Sequence, residues 1–287
     1  MTIDPILEDL YNVRGAIPEF ADIFALWDKR SNAFREKINS HLDLIYGTGP
    51  RAKLDIYPTR EKGAALHVFI HGGYWQAMDK SQSNFLAEAF LDKGISVAMI
   101  GYDLCPDVAL RDIVEEIRQG FAWLWHHADE YGYDRDRIQI SGHSAGGHLV
   151  AILLTTDWVA YGLPKDISPI HSAIAISGLF DVSQLVQTSI NNKLGLDFEE
   201  AIALSPLFMV RENICPLLLA VGDDESSAFH EQSDNLHEKW QDEAGLMERM
   251  TLSGHHHLSV VVELANPNSP LFKWGVNQLG INTKKRL

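Results

Sequence analysis

Short uninterrupted apolar runs recur along the chain and alternate with longer amphipathic stretches. Each run ends in glycine or in a polar cluster, and the runs span residues 65–73, 95–103, 137–144, 172–178 and 216–224. Runs of this length without polar alternation are typical of strands that are covered on both faces. The stretch at 108–132 instead places its apolar residues at helical spacing. The pattern predicts an α/β fold in which helices cover both faces of a mostly parallel central sheet.

The first part of the chain has a different pattern. Residues 4–38 predict two helical stretches broken near Gly15 and Pro18, and residues 41–47 and 51–58 predict a short antiparallel strand pair. No repeat or Gly/Ser-rich linker divides the remainder, and a chain of 287 residues that is 46% hydrophobic can bury one large core.

We therefore expect two parts of unequal size. Residues 1–40 should form a cap or lid segment, and residues 41–287 should form one main domain. Open parallel sheets place their chemistry just beyond the carboxyl ends of the strands. The cap segment is expected to cover that edge.

The net charge of the chain limits the classes of partner that it is expected to bind. The chain has 24 Lys and Arg against 39 Asp and Glu, which gives a formal net charge of −15, and its largest basic cluster is the C-terminal TKKRL. Such a chain is not expected to bind nucleic acid. No run approaches the length of a membrane span, and the acidic start does not resemble a leader peptide. We expect a cytoplasmic protein that does not bind membranes.

Cysteine usage agrees with that expectation. Cys105 and Cys215 are too few for a disulfide framework, which favours a reducing compartment. Neither cysteine has a Cys-x-x-Cys or zinc-type spacing. We expect both to be small buried hydrophobic residues rather than nucleophiles.

The first candidate for chemistry is Ser144, which lies between Gly142 and Gly146 at the end of an apolar run. A serine at the tip of a tight strand-to-helix turn needs small residues two positions before and after it, because the backbone brings those positions against each other. The following AGGHLVAILL predicts a helix whose free N–H groups would face negative charge near Ser144. The pattern predicts a nucleophile, and a chance match in a glycine-rich turn is the alternative.

A serine nucleophile needs a base and an orienting acid, which should follow it in the order serine, acid, histidine. Three acids follow the run at 216–221, namely Asp223, Asp224 and Glu225, and three histidines occupy 255–257. Consecutive side chains on a loop rarely converge on a metal, and helical metal ligands prefer i, i+4 spacing. We expect a catalytic base here and no metal.

Negative charge on the reacting oxygen must also be stabilised. His71, Gly72 and Gly73 follow the first predicted parallel strand, where glycines let backbone N–H groups turn inward. The amides of Gly73 and Tyr74, together with that of Ala145, are the candidate oxyanion hole. An ordinary glycine-rich turn is the alternative.

The segments HGGYW, GHSAGGH and HHHLSVV together carry a resemblance. The chain resembles the α/β-hydrolase superfamily, in the kynurenine formamidase-like branch close to the hormone-sensitive-lipase-type esterases. Those esterases usually carry His-Gly-Gly-Gly, whereas the formamidases carry His-Gly-Gly-x-Trp, which this chain matches at His71, Gly72, Gly73 and Trp75. The likeness covers roughly residues 40–265, and the N-terminal YNVRGAIPEF is similar to a capping segment of bacterial relatives.

The resemblance implies roles for the histidines and the acids. It implies that His257, which precedes LSVVVEL, is the base, and that Glu225 in ESSAFHEQS is the acid. The family more often shows Asp at the acid position. General hydrolase geometry instead places the acid two residues after the strand-end Gly222, at Asp224. Both acids stay open, and we favour Glu225.

The resemblance also implies a substrate class and a catalytic domain at 41–287. Tyr74, Trp75 and Phe180, with an aromatic residue from the cap, would accept an aryl group beside a small acyl slot. The expected substrate is an aryl formamide such as N-formylkynurenine, or a short-chain ester, and no cofactor is needed.

Other functions remain open at this stage. A general carboxylesterase, an acyltransferase and a non-catalytic ligand-binding relative of the hydrolases are compatible with the same motifs. A homodimer is also compatible with the sequence.

Overall fold

An eight-stranded sheet forms the centre of the computed structural model, which describes residues 2–209, 215–242 and 246–281. In chain order the strands are β1 (His41–Ile45), β2 (Lys53–Tyr57), β3 (Ala64–Ile70), β4 (Ser96–Ile100), β5 (Tyr133–His143), β6 (Ser172–Ile176), β7 (Leu217–Gly222) and β8 (Met247–Leu252). Their spatial order is β1-β2-β4-β3-β5-β6-β7-β8. The β1–β2 and β2–β4 pairs are antiparallel and the other pairs are parallel. The predicted mostly parallel sheet is confirmed.

Helices cover both faces of this sheet. The α-helices are α1 (Pro5–Tyr11), α2 (Val13–Ala16), α3 (Phe20–Arg35), α4 (Ala87–Leu91), α5 (Leu110–His126), α6 (Ala128–Tyr131), α7 (Ala145–Leu154), α8 (Asn191–Leu194), α9 (Phe198–Ala203), α10 (Ser227–Trp240) and α11 (Pro270–Gln278). Short 3-10 helices span Lys80–Leu86, Trp158–Tyr161, Val182–Gln187, Pro206–Phe208 and Val260–Ala265.

The absence of polar alternation in the central strands has a direct structural cause, because both faces of each strand are buried. In β7, Leu217, Leu219 and Val221 face a core with α5, α7 and α10. Leu218 and Ala220 face a second core with α3, α4 and α11. Every residue of β7 is buried. The side chains of β7 are therefore apolar on both faces, as is typical of parallel strands between two helical layers.

The N-terminal segment differs in detail from the prediction. Three helices, rather than two helical stretches, occupy residues 5–35, with breaks at Asn12 and at 17–19. Asp4 begins α1 by accepting hydrogen bonds from the amides of Ile6 (2.8 Å) and Leu7 (3.3 Å). The predicted antiparallel pair of strands is confirmed as β1 and β2.

The edge strand β8 was not predicted from the sequence. Most of its residues are exposed or half-buried, and only Leu252 is buried. An edge strand with one partner carries a weaker apolar signal than a central strand. Its parallel pairing with β7 places Leu252 beside Gly222, so the loop after β8 begins next to the loop after β7.

The parallel register aligns the carboxyl ends of several strands. Ile70 at the end of β3 pairs with Gly142 of β5, and His143 pairs with Ile176 at the end of β6. The loops that follow these strands therefore meet at one edge of the sheet. Within the described ranges, none of the helices is long and apolar enough to cross a membrane.

Candidate active site

Ser144 lies on a sharp turn between β5 and α7. Its backbone has φ 57° and ψ −120°, an unusual conformation for a residue with a side chain. A Cβ atom on Gly142 would lie 2.2 Å from the carbonyl oxygen of Gly146, and one on Gly146 would lie 2.1 Å from that of Ile70. Both positions therefore require glycine, as the sequence pattern predicts. The Ser144 amide donates to the Ile176 carbonyl oxygen at 2.8 Å, which ties the turn to β6.

Glu225 and His257 form a close hydrogen-bonded pair. The His257 Nδ1 atom lies 2.6 Å from Glu225 Oε2, and the Glu225 side chain is fully buried. The other oxygen, Oε1, accepts from Ser177 Oγ at 2.5 Å and from the Gly222 amide at 2.8 Å. Burial by itself raises the pKa of Glu225, but the attraction of His257 and these hydrogen bonds outweigh it and hold the pKa below its usual value. Glu225 is therefore an ionised acceptor.

The neighbouring acids have different contacts. Asp224 is exposed, and its amide donates to the carbonyl oxygen of His255 at 3.1 Å. Asp223 is also exposed and accepts from Ser253 Oγ at 2.8 Å and from the Gly254 amide at 2.6 Å. Asp223 thus holds the histidine loop, and Glu225 is the acid in contact with His257.

The three consecutive histidines point to different partners. His255 Nε2 lies 3.9 Å from Glu263 Oε1, and His256 Nδ1 accepts from the Leu258 amide at 3.2 Å. His257 alone faces Glu225. Across residues 2–209, 215–242 and 246–281, no group of three His, Cys, Asp or Glu side chains could hold a metal ion.

His143 joins the turn at Ser144 to the histidine loop. Its Nε2 atom lies 2.8 Å from the His257 carbonyl oxygen, which can only accept, so Nε2 carries a proton. Complete burial, together with repulsion from His257, lowers the pKa of His143 to about 3. His143 is therefore a neutral donor that fixes the backbone of His257.

The glycine-rich loop after β3 presents free amides. Gly73 has φ 105°, and a Cβ atom there would lie 2.3 Å from the Ala77 carbonyl oxygen. The Gly73 carbonyl accepts from the amides of Gln76 (3.0 Å) and Ala77 (3.1 Å), which closes a tight turn. The amides of Gly73, Tyr74 and Ala145 donate no hydrogen bond to any described residue. Free donors of this kind can stabilise a developing oxyanion.

A cavity of about 470 Å³ brings these groups together. Gly73, Tyr74, Ser144 and His257 line it. Ser144 and His257 are 3% and 5% exposed, so both side chains are almost removed from solvent. No hydrogen bond between Ser144 Oγ and His257 is present among the described residues. Such contacts are often long before substrate binds.

The N-terminal segment supplies part of the cavity wall. Its lining residues are Glu8, Tyr11, Asn12, Val13, Arg14 and Phe24. The rings of Tyr11 and Phe24 are therefore the aromatic groups that the N-terminal segment contributes to this cavity. The sequence alone did not identify them, although the likeness of YNVRGAIPEF to a capping segment pointed to this region.

Two of the three expected substrate-contacting residues lie outside the cavity lining, contrary to expectation. Trp75 is fully buried, and its ring packs edge-on against His148 with centroids 4.9 Å apart. Phe180 is also fully buried, and its amide donates to Gln232 Oε1 at 2.7 Å. Both side chains belong to the core behind the cavity, and only Tyr74 of the three lines it.

Tyr11 connects the N-terminal segment to the loops around the site. The Tyr74 hydroxyl donates to the Tyr11 carbonyl at 2.7 Å, and the Tyr11 hydroxyl donates to Gln184 Oε1 at 2.5 Å. Gln232 Nε2 donates to the same hydroxyl at 2.8 Å. Burial, which outweighs the hydrogen bond from Gln232, raises the pKa of Tyr11 well above its usual value. The hydroxyl is thus neutral and bridges two glutamines.

Comparison with known proteins places this geometry among hydrolases. Residues 54–240 match the BD-FAE family. A kynurenine formamidase of Danio rerio is 31% identical over 83% of this chain and 82% of its own length. A solved structure from Silicibacter sp., provisionally described as a thioesterase, is 35% identical with a TM-score of 0.80, covering 96% of this chain and 98% of that one.

A more distant structure agrees in fold. Esterase B from a Lactobacillus species is 20% identical with a TM-score of 0.69, over 93% of this chain and 94% of that one.

Proposed function

The chain belongs to the BD-FAE family, in the kynurenine formamidase and esterase branch of the α/β-hydrolases, and from this premise we propose that Ser144, His257 and Glu225 are its catalytic triad. The chain is a hydrolase of formamide or ester bonds. The observation that carries the triad is the 2.6 Å contact of Glu225 with His257, beside a cavity shared by His257 and Ser144.

The proton positions follow from the partners. Ionised Glu225 can only accept, so His257 carries its proton on Nδ1 and leaves Nε2 free as the base. Nε2 takes the proton of Ser144 Oγ as that oxygen attacks the carbonyl carbon. His257 then returns the proton to the leaving amine or alcohol, and water releases the acyl group from Ser144.

The negative oxygen of the tetrahedral intermediate is held by the amides of Gly73, Tyr74 and Ala145. These amides donate no hydrogen bond elsewhere in the described chain, so they need not break one to bind the oxyanion. Loss of one such donor typically costs about 10²–10³ in rate.

The substrate we propose is an aryl formamide of the N-formylkynurenine type. A formyl group needs only a small acyl slot at Ser144, and the rings of Tyr11, Phe24 and Tyr74 line the cavity around it. The proposal also assigns residues 1–40 as the cap and residues 41–287 as the catalytic domain. Six described cap residues line the cavity, which supports that division.

The test measures kcat/KM for N-formylkynurenine beside p-nitrophenyl acetate and butyrate. We expect the formamide to be preferred by orders of magnitude. Ser144→Ala should lose activity on all three substrates, because the variant lacks the hydroxyl that attacks the carbonyl carbon. Ser168→Ala, an exposed serine in the loop before β6, is the matched control and should retain wild-type rates.

The outcomes separate the alternatives. Turnover of the esters without the formamide would make the chain a carboxylesterase and overturn the formamide assignment. Full activity of Ser144→Ala would show that Ser144 is not the nucleophile and would overturn the proposed triad. Tight binding of substrate without turnover by the wild-type chain would favour a ligand-binding role.

A further inference from the structure

Two cationic side chains lie at the rim of the cavity. Arg14 belongs to α2 in the cap and Lys193 belongs to α8, and both line the cavity with exposed side chains. Among the described residues, neither forms an ion pair or donates a side-chain hydrogen bond. They come from segments about 180 positions apart in the sequence and converge through the fold.

Several contacts hold these two segments together. The Glu8 carboxylate accepts from the Ser189 amide at 2.7 Å and from Ser189 Oγ at 2.6 Å. The Asp4 amide donates to the Gln187 carbonyl at 2.8 Å. From the loop after β3, Gln76 Nε2 donates to the Ile190 carbonyl at 2.7 Å. These contacts fix α1, which precedes the helix of Arg14, and the loop that carries Tyr74 to residues 187–190, which directly precede the helix of Lys193.

The surrounding charge does not neutralise the two cations. Glu8 is the one carboxylate among the described residues that line the cavity, and both of its oxygens accept from Ser189. The whole chain carries a formal net charge of −15, so acids are abundant elsewhere. The Arg14 guanidinium lies over the Phe20 ring, 5.6 Å from its centroid, a contact that leaves its positive charge without an anionic partner. An Arg and a Lys beside a cavity, neither of which has an anionic partner among the described residues, are suited to an anionic ligand.

We propose that Arg14 and Lys193 form a subsite for an anionic group, specifically a carboxylate on the aryl part of the substrate. The inference rests on the proposed function, since it places the acyl group at Ser144 and the anion at the rim. Arg14 can pair with both oxygens of a carboxylate, and Lys193 adds a compact charge. The enzyme then selects acidic aryl substrates over neutral ones of the same shape.

The test compares aryl acetates that differ only in charge. The probes are 3- and 4-acetoxybenzoate and the matching acetoxybenzamides, in which a neutral carboxamide replaces the carboxylate. For the wild type we expect kcat/KM to favour at least one carboxylate over its carboxamide by roughly tenfold, mainly through KM. The preference should shrink as salt is added.

The variant that removes the subsite is Arg14→Gln with Lys193→Gln. In this variant, kcat/KM for each carboxylate should be about equal to kcat/KM for the matching carboxamide. Only the carboxylate probes lose a charge interaction when Arg14 and Lys193 are replaced. The matched control is Arg60→Gln with Lys62→Gln, two exposed cations in the loop before β3, at the opposite edge of the sheet. The control removes the same charge and should keep the wild-type ratio.

The subsite is overturned if the wild type hydrolyses neither 3- nor 4-acetoxybenzoate with a higher kcat/KM than the matching carboxamide. It is also overturned if the control variant loses the preference for the carboxylate to the same extent as the variant that lacks Arg14 and Lys193. Binding to Ser144→Ala, measured by calorimetry, separates this failure from failure of the proposed function. Tighter binding of the carboxylate than of the carboxamide supports the subsite even if no probe is hydrolysed. Equal binding, with hydrolysis of both probes by the wild type, overturns the subsite and leaves the hydrolase assignment intact.

Discussion

Glu225 makes three hydrogen bonds, and they come from three different strand ends. His257 follows β8, Ser177 follows β6 and the Gly222 amide lies at the end of β7. These contacts keep a fully buried carboxylate ionised and its orientation fixed. The adjacent Asp224 is exposed to solvent, and its carboxylate forms neither a hydrogen bond nor an ion pair with His257. Two consecutive acids therefore differ completely in environment: Glu225 is buried against His257, whereas Asp224 is solvated.

We predict that Glu225→Gln lowers kcat by roughly 10³–10⁴-fold, because the amide can donate to His257 and favours the wrong tautomer. Asp224→Asn should change kcat less than threefold. The measurement is steady-state kinetics on p-nitrophenyl acetate, with circular dichroism to check that both variants fold. A larger loss in Asp224→Asn than in Glu225→Gln would reverse the assignment of the acid.

At the scale of elements, α1 joins two loops of the candidate site. The carbonyl of Tyr11 at its end accepts from the Tyr74 hydroxyl at 2.7 Å, and the carbonyl of Leu10 accepts from Ser226 Oγ at 2.6 Å. Tyr74 supplies a proposed oxyanion donor, and Ser226 follows Glu225. The last carbonyls of a helix have no partner within the helix. Here they fix the loop that carries Tyr74 and the loop that carries Glu225 and Ser226 relative to each other.

We predict that Tyr74→Phe lowers kcat by roughly 5- to 50-fold with a smaller change in KM, because the loop that carries the oxyanion donors loses its anchor. Tyr133→Phe is the matched control, since its buried hydroxyl also donates to a backbone carbonyl, that of Leu124 at 2.5 Å. Tyr133 lies at the amino end of β5, away from the site. Equal kcat losses in the two variants would show a general packing effect instead.

At the scale of the whole molecule, a buried ion pair joins the 3-10 helix Lys80–Leu86 to the antiparallel edge of the sheet. Lys80 Nζ lies 2.7 Å from Asp55 Oδ1 in β2 and 2.9 Å from Asp43 Oδ1 in β1. The side chains of Lys80 and Asp55 are 8% and 1% exposed. Removal of one partner from such a pair leaves an uncompensated buried charge.

We predict that Lys80→Met lowers the free energy of unfolding by about 3–5 kcal/mol. Lys62→Met, at an exposed position without an ion pair among the described residues, should change it by less than about 0.5 kcal/mol. Urea denaturation followed by tryptophan fluorescence measures both values. If Lys80→Met unfolds at the same urea concentration as Lys62→Met, the buried pair contributes nothing to stability.

The sequence by itself determined the features that depend on local backbone geometry and local burial. The apolar runs predicted the central strands, because a strand covered on both faces is predominantly apolar. Gly142 and Gly146 identified the turn at Ser144, since close backbone contacts exclude any side chain there. The edge strand β8 was not predicted because most of its residues are at least partly exposed, so its sequence contains no continuous apolar run.

Only the tertiary structure decided which side chains meet. It paired His257 with Glu225 rather than Asp224, turned Trp75 and Phe180 into the core, and brought Arg14 to the same rim as Lys193. It also added Ser177, which the sequence marked only as a polar residue at the end of an apolar run. These outcomes depend on side-chain direction and on packing between distant segments. A local pattern does not encode either property, because both arise when parallel strands align their ends and the N-terminal segment packs beside them.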